Sequence, residues 1–312
     1  MAKNYLGIDI GGTFIKLGIV DENGVVTLRS EVPIERDGSV TVMETLMRGV
    51  DEFLLEHGLD ALDLEGIGVS SAGCIDTANG CVAENGGNVP GWSHTEVTRP
   101  LTDKYGIRAT IANDGNCVAL AEAWIGAAKG INDVICVVLG TGIGGGIISG
   151  GRLIEGARGF GGEIGHFPTH AEKKPASQSD MSAHYEKHAA TSALVDMAAA
   201  AGLPLKNGRE IFEAAAANDG SALALLDDWI YEIAVGVTGL VHVFDPSAVI
   251  IGGGVSAQED LLIKPLRDKI LAMVQPDFAD GLEIKAAMLG NNAGMAGAVK
   301  YFIDSSARRH AL

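Results

Sequence analysis

The chain has 312 residues, 47% of them hydrophobic, and a formal net charge of -17. That length can bury the core of two compact domains, and the negative charge repels polyanions, which argues against nucleic acid or an anionic membrane surface as partner. There is no apolar run of about 18 residues or more, and MAKNYLGIDIGG lacks the basic start and apolar stretch of a signal peptide, so a cytoplasmic location is expected.

Residues 5–12, YLGIDIGG, read as a buried strand running into a glycine turn, and 13–20 as a return strand. Glu22-Asn23-Gly24 turns the chain into a third strand near 25–31. A helix is expected over 40–57, with Leu46, Val50, Phe53 and Leu54 on one face. Further apolar strands read at 66–71 and 107–112, the second ending in Asn113-Asp114. From 133 the pattern restarts: DVICVVLGTGIGGGIISGGRLI is again strand, glycine turn and return strand, which suggests a duplicated domain. The stretch 177–244 reads as almost wholly helical. A strand at 247–254 ending in three glycines, a helix at 260–273, a strand at 282–288 and a helix from 292 complete the chain, with a frayed tail. The four cysteines, Cys74, Cys81, Cys117 and Cys136, show no CxxC spacing and suit reduced thiols.

The glycine turns carry the chemistry. In Asp9, Gly11, Gly12 and Thr13, glycines allow backbone N–H groups to face phosphate oxygens and the threonine adds a hydroxyl; an ordinary hairpin turn is the competing reading. The run is neither a Walker A loop nor a dinucleotide fingerprint, because no GxxxxGK[ST] occurs and a strand follows. Gly140-Thr141-Gly142 repeats the arrangement. Gly252-Gly253-Gly254 suits a flat approach to a nucleotide or, equally, a tight strand-to-helix turn. Asp114 stands at a strand's C-terminal end, where α/β folds place catalytic groups, though Asn-Asp there also suits a helix N-cap. Phosphoryl transfer asks a protein for positioning, charge neutralisation and one carboxylate to accept the hydroxyl proton. Glu163 and His166 in GFGGEIGHF offer acceptor and donor groups for sugar hydroxyls. His184 and His188 have a spacing that a metal could use on a helix, but match no zinc-protease order.

DIGGTFIK (9–16), NDGNCVALAE (113–122), LGTGIGGGII (139–148), GGEIGH (161–166) and IIGGGV (250–255) together resemble the ROK sugar kinases, in order and over nearly the whole chain. The resemblance implies an α/β, two-domain actin-like ATPase fold, a duplicated ribonuclease H-like architecture with a cleft between its domains. The expected division is 1–115, completed by a helix at 292–304, then 116–291 with a helical insertion, and a tail at 305–312. It also implies ATP with Mg2+, a small-molecule sugar substrate, and a homodimer or homotetramer. By matching motifs Asp114 is the catalytic base and Asn88, Asn113, Glu163 and His166 bind the sugar. Asp9, Gly11, Gly12, Thr13, Lys16, Thr141, Gly142, Gly253 and Gly254 bind ATP, with Asp9 near the magnesium.

In most of the family GH is followed by CxCGxxGCxE, whose cysteines bind structural zinc. Here HFPTHAEKKPASQSDMSAHYEKHAATSAL has no cysteine, so no zinc is expected, and packing or subunit contacts are expected to hold the loop. YEKHAATSAL resembles the LExxASxxAL stretch and places Glu186 on the sugar-binding glutamate. Some members of this zinc-less branch act on β-glucosides or N-acetylmannosamine rather than free glucose; here glucose, phosphorylated on its C6 hydroxyl, is favoured because GNVPGW, His166 and Glu186 could meet its other hydroxyls. ROK repressors are the non-enzymatic alternative, but with DIGG beginning at residue 9 no preceding helix-turn-helix is expected. An actin-like ATPase would need no Asn113-Asp114 with Glu163 and His166.

Overall fold

The computed structural model describes residues 3–310. In chain order the elements are β1 (Asn4–Ile10), β2 (Phe14–Asp21), β3 (Val26–Pro33), α1 (Val42–His57), β4 (Ile67–Ser71), β5 (Cys74–Asp76), β6 (Cys81–Glu84), β7 (Thr95–Glu96), α2 (Thr98–Tyr105), β8 (Ala109–Asn113) and α3 (Asp114–Ile125). There follow β9 (Val134–Leu139), β10 (Ile143–Ser149), β11 (Arg152–Leu153), α4 (Glu186–Ala189), α5 (Thr191–Ala200), α6 (Gly208–Ala216), α7 (Gly220–Phe244), β12 (Ala248–Gly252), α8 (Lys264–Met273), α9 (Pro276–Ala279), β13 (Glu283–Ala286) and α10 (Ala293–His310).

The chain divides into two compact units. One takes the residues up to 129 with 153–161 and those from 291 onward; the other takes 130–152 and 162–290. The first contains a five-stranded sheet in the order β3-β2-β1-β4-β8, and the second a five-stranded sheet in the order β11-β10-β9-β12-β13. In each, two neighbouring strands are antiparallel, β1 with β2 and β9 with β10, and the next pairings are parallel, β1-β4-β8 and β9-β12-β13. The repeated strand-turn-strand motif thus builds the same half-sheet twice.

In the first unit Ile8, Ile10, Ile15 and Leu17 belong to a buried cluster with Leu46, Val50 and Phe53 of α1. Fully burying such a side chain contributes about 1.5–3 kcal/mol. The helix is bounded by chemistry written in the sequence. Thr41 and Glu44 close a capping box, with Glu44 N–H donating to Thr41 Oγ1 (3.2 Å) and Thr41 N–H to Glu44 Oε2 (2.9 Å), and Gly58 ends it in the left-handed conformation (φ 62°). A second cluster, Tyr5, Val20, Met295, Val299 and Phe302, joins α10 to this sheet. The helix lies flush on the strands because Gly68 has no side chain: a Cβ there would stand 2.8 Å from Val299 N.

The division differs from the one expected at 115/116. α3 goes with the first unit because it packs on α10 and β8, with Gly297 pressed against the backbone of Cys117. Segment 153–161 joins the same unit, with Tyr301 Oη donating to Glu155 Oε1 (2.6 Å) and Arg308 pairing with Glu155 Oε2 (2.6 Å). Those contacts also correct the frayed tail. α10 continues to His310, and Arg108 donates to Ser305 (2.9 Å) and Ser306 (2.6 Å); Leu312 and its predecessor lie outside the described residues. Residues 177–185 are not helical but form turns and loop, as befits Ser-rich sequence whose Asp180 accepts from Ala176 N and Ser182 N. The expected helix at 260–273 is a π turn over Glu259–Ile263 followed by α8, whose second residue is Pro265. The small antiparallel sheet β5-β6-β7 has no counterpart in the reading above.

Candidate functional site

The first unit gathers its polar residues at the C-terminal ends of β1, β4 and β8. Parallel pairing puts Asp9 beside Ser70 and Ser71 beside Asn113. Asp9 opposes Lys16 across the β1–β2 hairpin, and Lys16 Nζ lies 3.5 Å from Asp9 Oδ2. The glycine turn is closed by Gly11 N–H donating to Phe14 O (3.1 Å). Gly12 accepts from Arg36 Nη1 at 2.8 Å, and a Cβ on it would come to 3.2 Å from Asn88 O, so turn and Asn88 loop are neighbours. That loop is held by Glu84 and Asn85. Glu84 Oε1 accepts from Asn85 N–H, Gly86 N–H and Ser93 Oγ, and buried Asn85 donates through Nδ2 to Val89 O (2.7 Å). Asn88 itself is exposed.

The N-cap role that the sequence left open for the Asn-Asp pair falls to Asn113. Asn113 is the N-cap of α3: its Oδ1 accepts from Asn116 N–H (3.1 Å) while its Nδ2 donates to Gly73 O (3.0 Å). Asp114 is the first helical residue, half-buried, with Oδ1 accepting from Gly115 N–H (2.9 Å). The capping is done by the neighbour, so the Asp114 carboxylate is not consumed by it. Beneath lies Cys117, whose thiol is pushed well up by burial and, further, by the nearby carboxylates of Asp9 and Asp114, against a lowering hydrogen bond with Ser70.

In the second unit the turn after β9 repeats that after β1, with Gly140 N–H donating to Gly142 O (3.0 Å). It is tied to the start of α5: Thr191 N–H donates to Gly140 O (3.0 Å) and Ser192 Oγ to Thr141 O (2.6 Å). Gly253 has φ 98° and packs on the backbone of Leu139, which brings Gly253 and Gly254 next to this turn. Glu163 and His166 bracket a 3-10 turn seated on β10, with His166 Nε2 3.6 Å from Glu163 Oε2. Glu186 opens α4 and lies over Gly142: a Cβ there would be 2.5 Å from Glu186 Oε2, and Ile143 N–H donates to that oxygen at 3.4 Å. The glycine turn and the expected sugar carboxylate are therefore adjacent.

Three ring pairs order the cysteine-free stretch. His166 meets His184 edge to face (5.6 Å), Phe167 stacks on Tyr185 (5.2 Å) and His170 stacks on His188 (3.5 Å). Tyr185 is fully buried and donates to Ile233 O (2.8 Å); burial, reinforced by the Glu232 carboxylate, pushes its phenol up. His184 precedes α4 rather than sharing a helix with His188, so the metal-like spacing does not arise. Among the described residues no three His, Cys, Asp or Glu are grouped to hold a metal ion. None of their helices is long and apolar enough to cross a membrane.

Sequence reasoning missed Arg36, Ser70 and Ser192. None of the three stands out in the sequence: Ser70 is one of two serines that close an apolar strand.

The ROK family model matches residues 5–305. A glucokinase of Halalkalibacterium halodurans is 32% identical, covering 94% of this chain and 93% of that protein. A beta-glucoside kinase of Listeria innocua is 32% identical, covering 96% and 97%. A ROK family glucokinase from Streptomyces griseus, solved with glucose and AMPPNP, superposes with a TM-score of 0.78 at 30% identity, covering 96% and 98%.

Proposed function

Because the chain belongs to the ROK family, we propose that it transfers the γ-phosphoryl group of ATP to a hexose hydroxyl, the one on C6, with glucose the favoured acceptor. The observation that carries this is the division of labour at 113–114. Asn113 caps α3, which leaves Asp114 at a strand's C-terminal end as a carboxylate able to take a proton. The sugar oxygen bonds to the γ-phosphorus as the bond to the ADP oxygen breaks, and the hydroxyl proton passes to Asp114. Asn88 and Asn113, with Glu163, His166 and Glu186, hold the other hydroxyls.

Gly11, Gly12, Thr13 and Lys16, with Thr141, Gly142, Gly253 and Gly254, bind the nucleotide through backbone N–H groups, a hydroxyl and an ammonium. Magnesium arriving with ATP supplies charge neutralisation at the phosphates. Asp9 is the residue that would hold it: a hard carboxylate oxygen suits this ion, which usually takes one or two carboxylates beside phosphate oxygens. The ring pairs at 166–188 take the place of structural zinc. The working protein is cytoplasmic, a homodimer or homotetramer.

The test is ADP release by EDTA-treated protein given magnesium-ATP and, separately, glucose, N-acetylmannosamine, a β-glucoside and other hexoses. Turnover that requires one sugar and no zinc is expected. Sugar-independent hydrolysis would point to an ATPase, and ligand binding without turnover to a sensor. Preference for N-acetylmannosamine or a β-glucoside would replace glucose, the latter being the substrate class named for a relative as similar as the glucokinase.

A further inference from the structure

Ser70 has no part in the mechanism above, yet it is a completely buried hydroxyl beside Asp9. The row Lys16, Asp9, Ser70 runs across β2, β1 and β4 on the face covered by α10. Ser70 Oγ donates to Asp9 Oδ1 at 2.9 Å. Lys16 Nζ stands on the other oxygen at 3.5 Å. From above, the first turn of α10 closes on the same carboxylate: a Cβ on Gly294 would lie 2.8 Å from Oδ2 and closer still to the rest of the group. Hydroxyl, ammonium and helix backbone together leave Asp9 one orientation. Cys117 completes the arrangement. Its thiol is fully buried and lies against Ser70, so no water reaches the hydroxyl from that side.

A buried serine needs a partner, and a backbone carbonyl would have satisfied it. Ser70 instead engages an ionisable side chain at the end of a strand, and does so from a position where the neighbouring strand residues are all buried. We propose that Ser70 is a positioning residue for Asp9: it holds Oδ1 so that the carboxylate is presented to the magnesium-bound phosphates in a fixed orientation. The inference rests on the role proposed for Asp9.

The experiment compares Ser70→Ala, Gly294→Ala and Asp9→Asn with the full-length enzyme, measuring kcat, KM for the sugar and, by calorimetry without sugar, the Mg2+ concentration giving half-maximal binding of ATP. Loss of an outer-sphere partner to a metal-organising group typically costs about 10–100-fold. Ser70→Ala is expected to lower kcat within that range and to raise the Mg2+ midpoint several-fold, roughly as predicted for a looser carboxylate, with sugar KM little changed. Gly294→Ala, which crowds the carboxylate from the other side, gives the same signature and serves if Ser70→Ala does not fold. Wild-type kcat and Mg2+ midpoint in a folded Ser70→Ala, alongside an impaired Asp9→Asn, would overturn the inference while leaving Asp9 in its role. A parallel loss in kcat and sugar affinity without a change in the Mg2+ midpoint would make Ser70 merely structural and also overturn it. If Asp9→Asn itself leaves the Mg2+ dependence unchanged, the reading of Asp9 is what fails.

Discussion

Gly236 and Gly239 of α7 stand three residues apart and should respond to alanine with opposite signs. A Cβ on Gly239 meets nothing within 4 Å and the residue is exposed, so Gly239→Ala only reduces the freedom of the unfolded chain. It is expected to stabilise by about 0.5–1 kcal/mol. A Cβ on Gly236 would lie 2.7 Å from Tyr185 Cδ2 and nearer to two other ring carbons. That ring is fully buried, stacked on Phe167 and fixed by its hydrogen bond to Ile233 O, so it has nowhere to yield. Overpacking costs about 1–3 kcal/mol, and losing the buried phenol's acceptor adds about 1–3 kcal/mol, which exceeds the propensity gain. Gly236→Ala should therefore lose roughly 1–5 kcal/mol net. Because Tyr185 adjoins Glu186, its sugar KM should rise as well. Denaturant unfolding of both variants with sugar titrations at saturating ATP checks this. A Gly236→Ala protein as stable as Gly239→Ala, with unchanged KM, would refute the view that the buried Tyr185 anchors the Glu186 segment.

Glu186→Gln should raise sugar KM about tenfold or more while ATP KM moves little, as expected when a hydrogen-bonding group for a substrate hydroxyl is weakened; initial-rate kinetics with both substrates varied decide it. Phe167→Ala should destabilise by about 1–3 kcal/mol through lost burial and stacking, whereas EDTA treatment should leave the melting temperature unchanged, a difference that thermal unfolding reads directly. In thiol labelling of the native protein, Cys117 and Cys136 should stay protected because they are fully buried; modification should be confined to the partly exposed Cys74 and Cys81, with mass spectrometry locating the label.

Features governed by local pattern were legible in the sequence. Apolar strands ending in glycine turns emerge as β1, β9 and β12, and Thr41, Glu44 and Gly58 bound α1 because caps are local chemistry. What escaped depends on distant partners. α3 is buried on most sides, so its sequence carries no stripe to say that α10, nearly 180 residues later, would cover it. Strands of two to four residues such as β5 and β7 are too short for a period to show. The stretch 177–185 follows its polar turn chemistry rather than the helices after it. At the site, Asp114 could be singled out by its place after an apolar strand. Ser70 and Gly294 could not, since their meaning comes from Asp9, to which only strand pairing and a returning helix bring them.

Asp114 is the proposed acceptor of the sugar proton, and the most direct measurement is the turnover of Asp114→Asn with its nucleotide affinity determined in parallel. The substitution keeps size and an oxygen to accept from Gly115 N–H, but turns the other carboxylate oxygen into a donor and so removes the proton acceptor. A fall in kcat of about 10²–10⁴-fold, the usual contribution of a general base, with ATP binding within about twofold of wild type, is the predicted result. Near-normal kcat would contradict the assignment and require another group to receive the sugar proton.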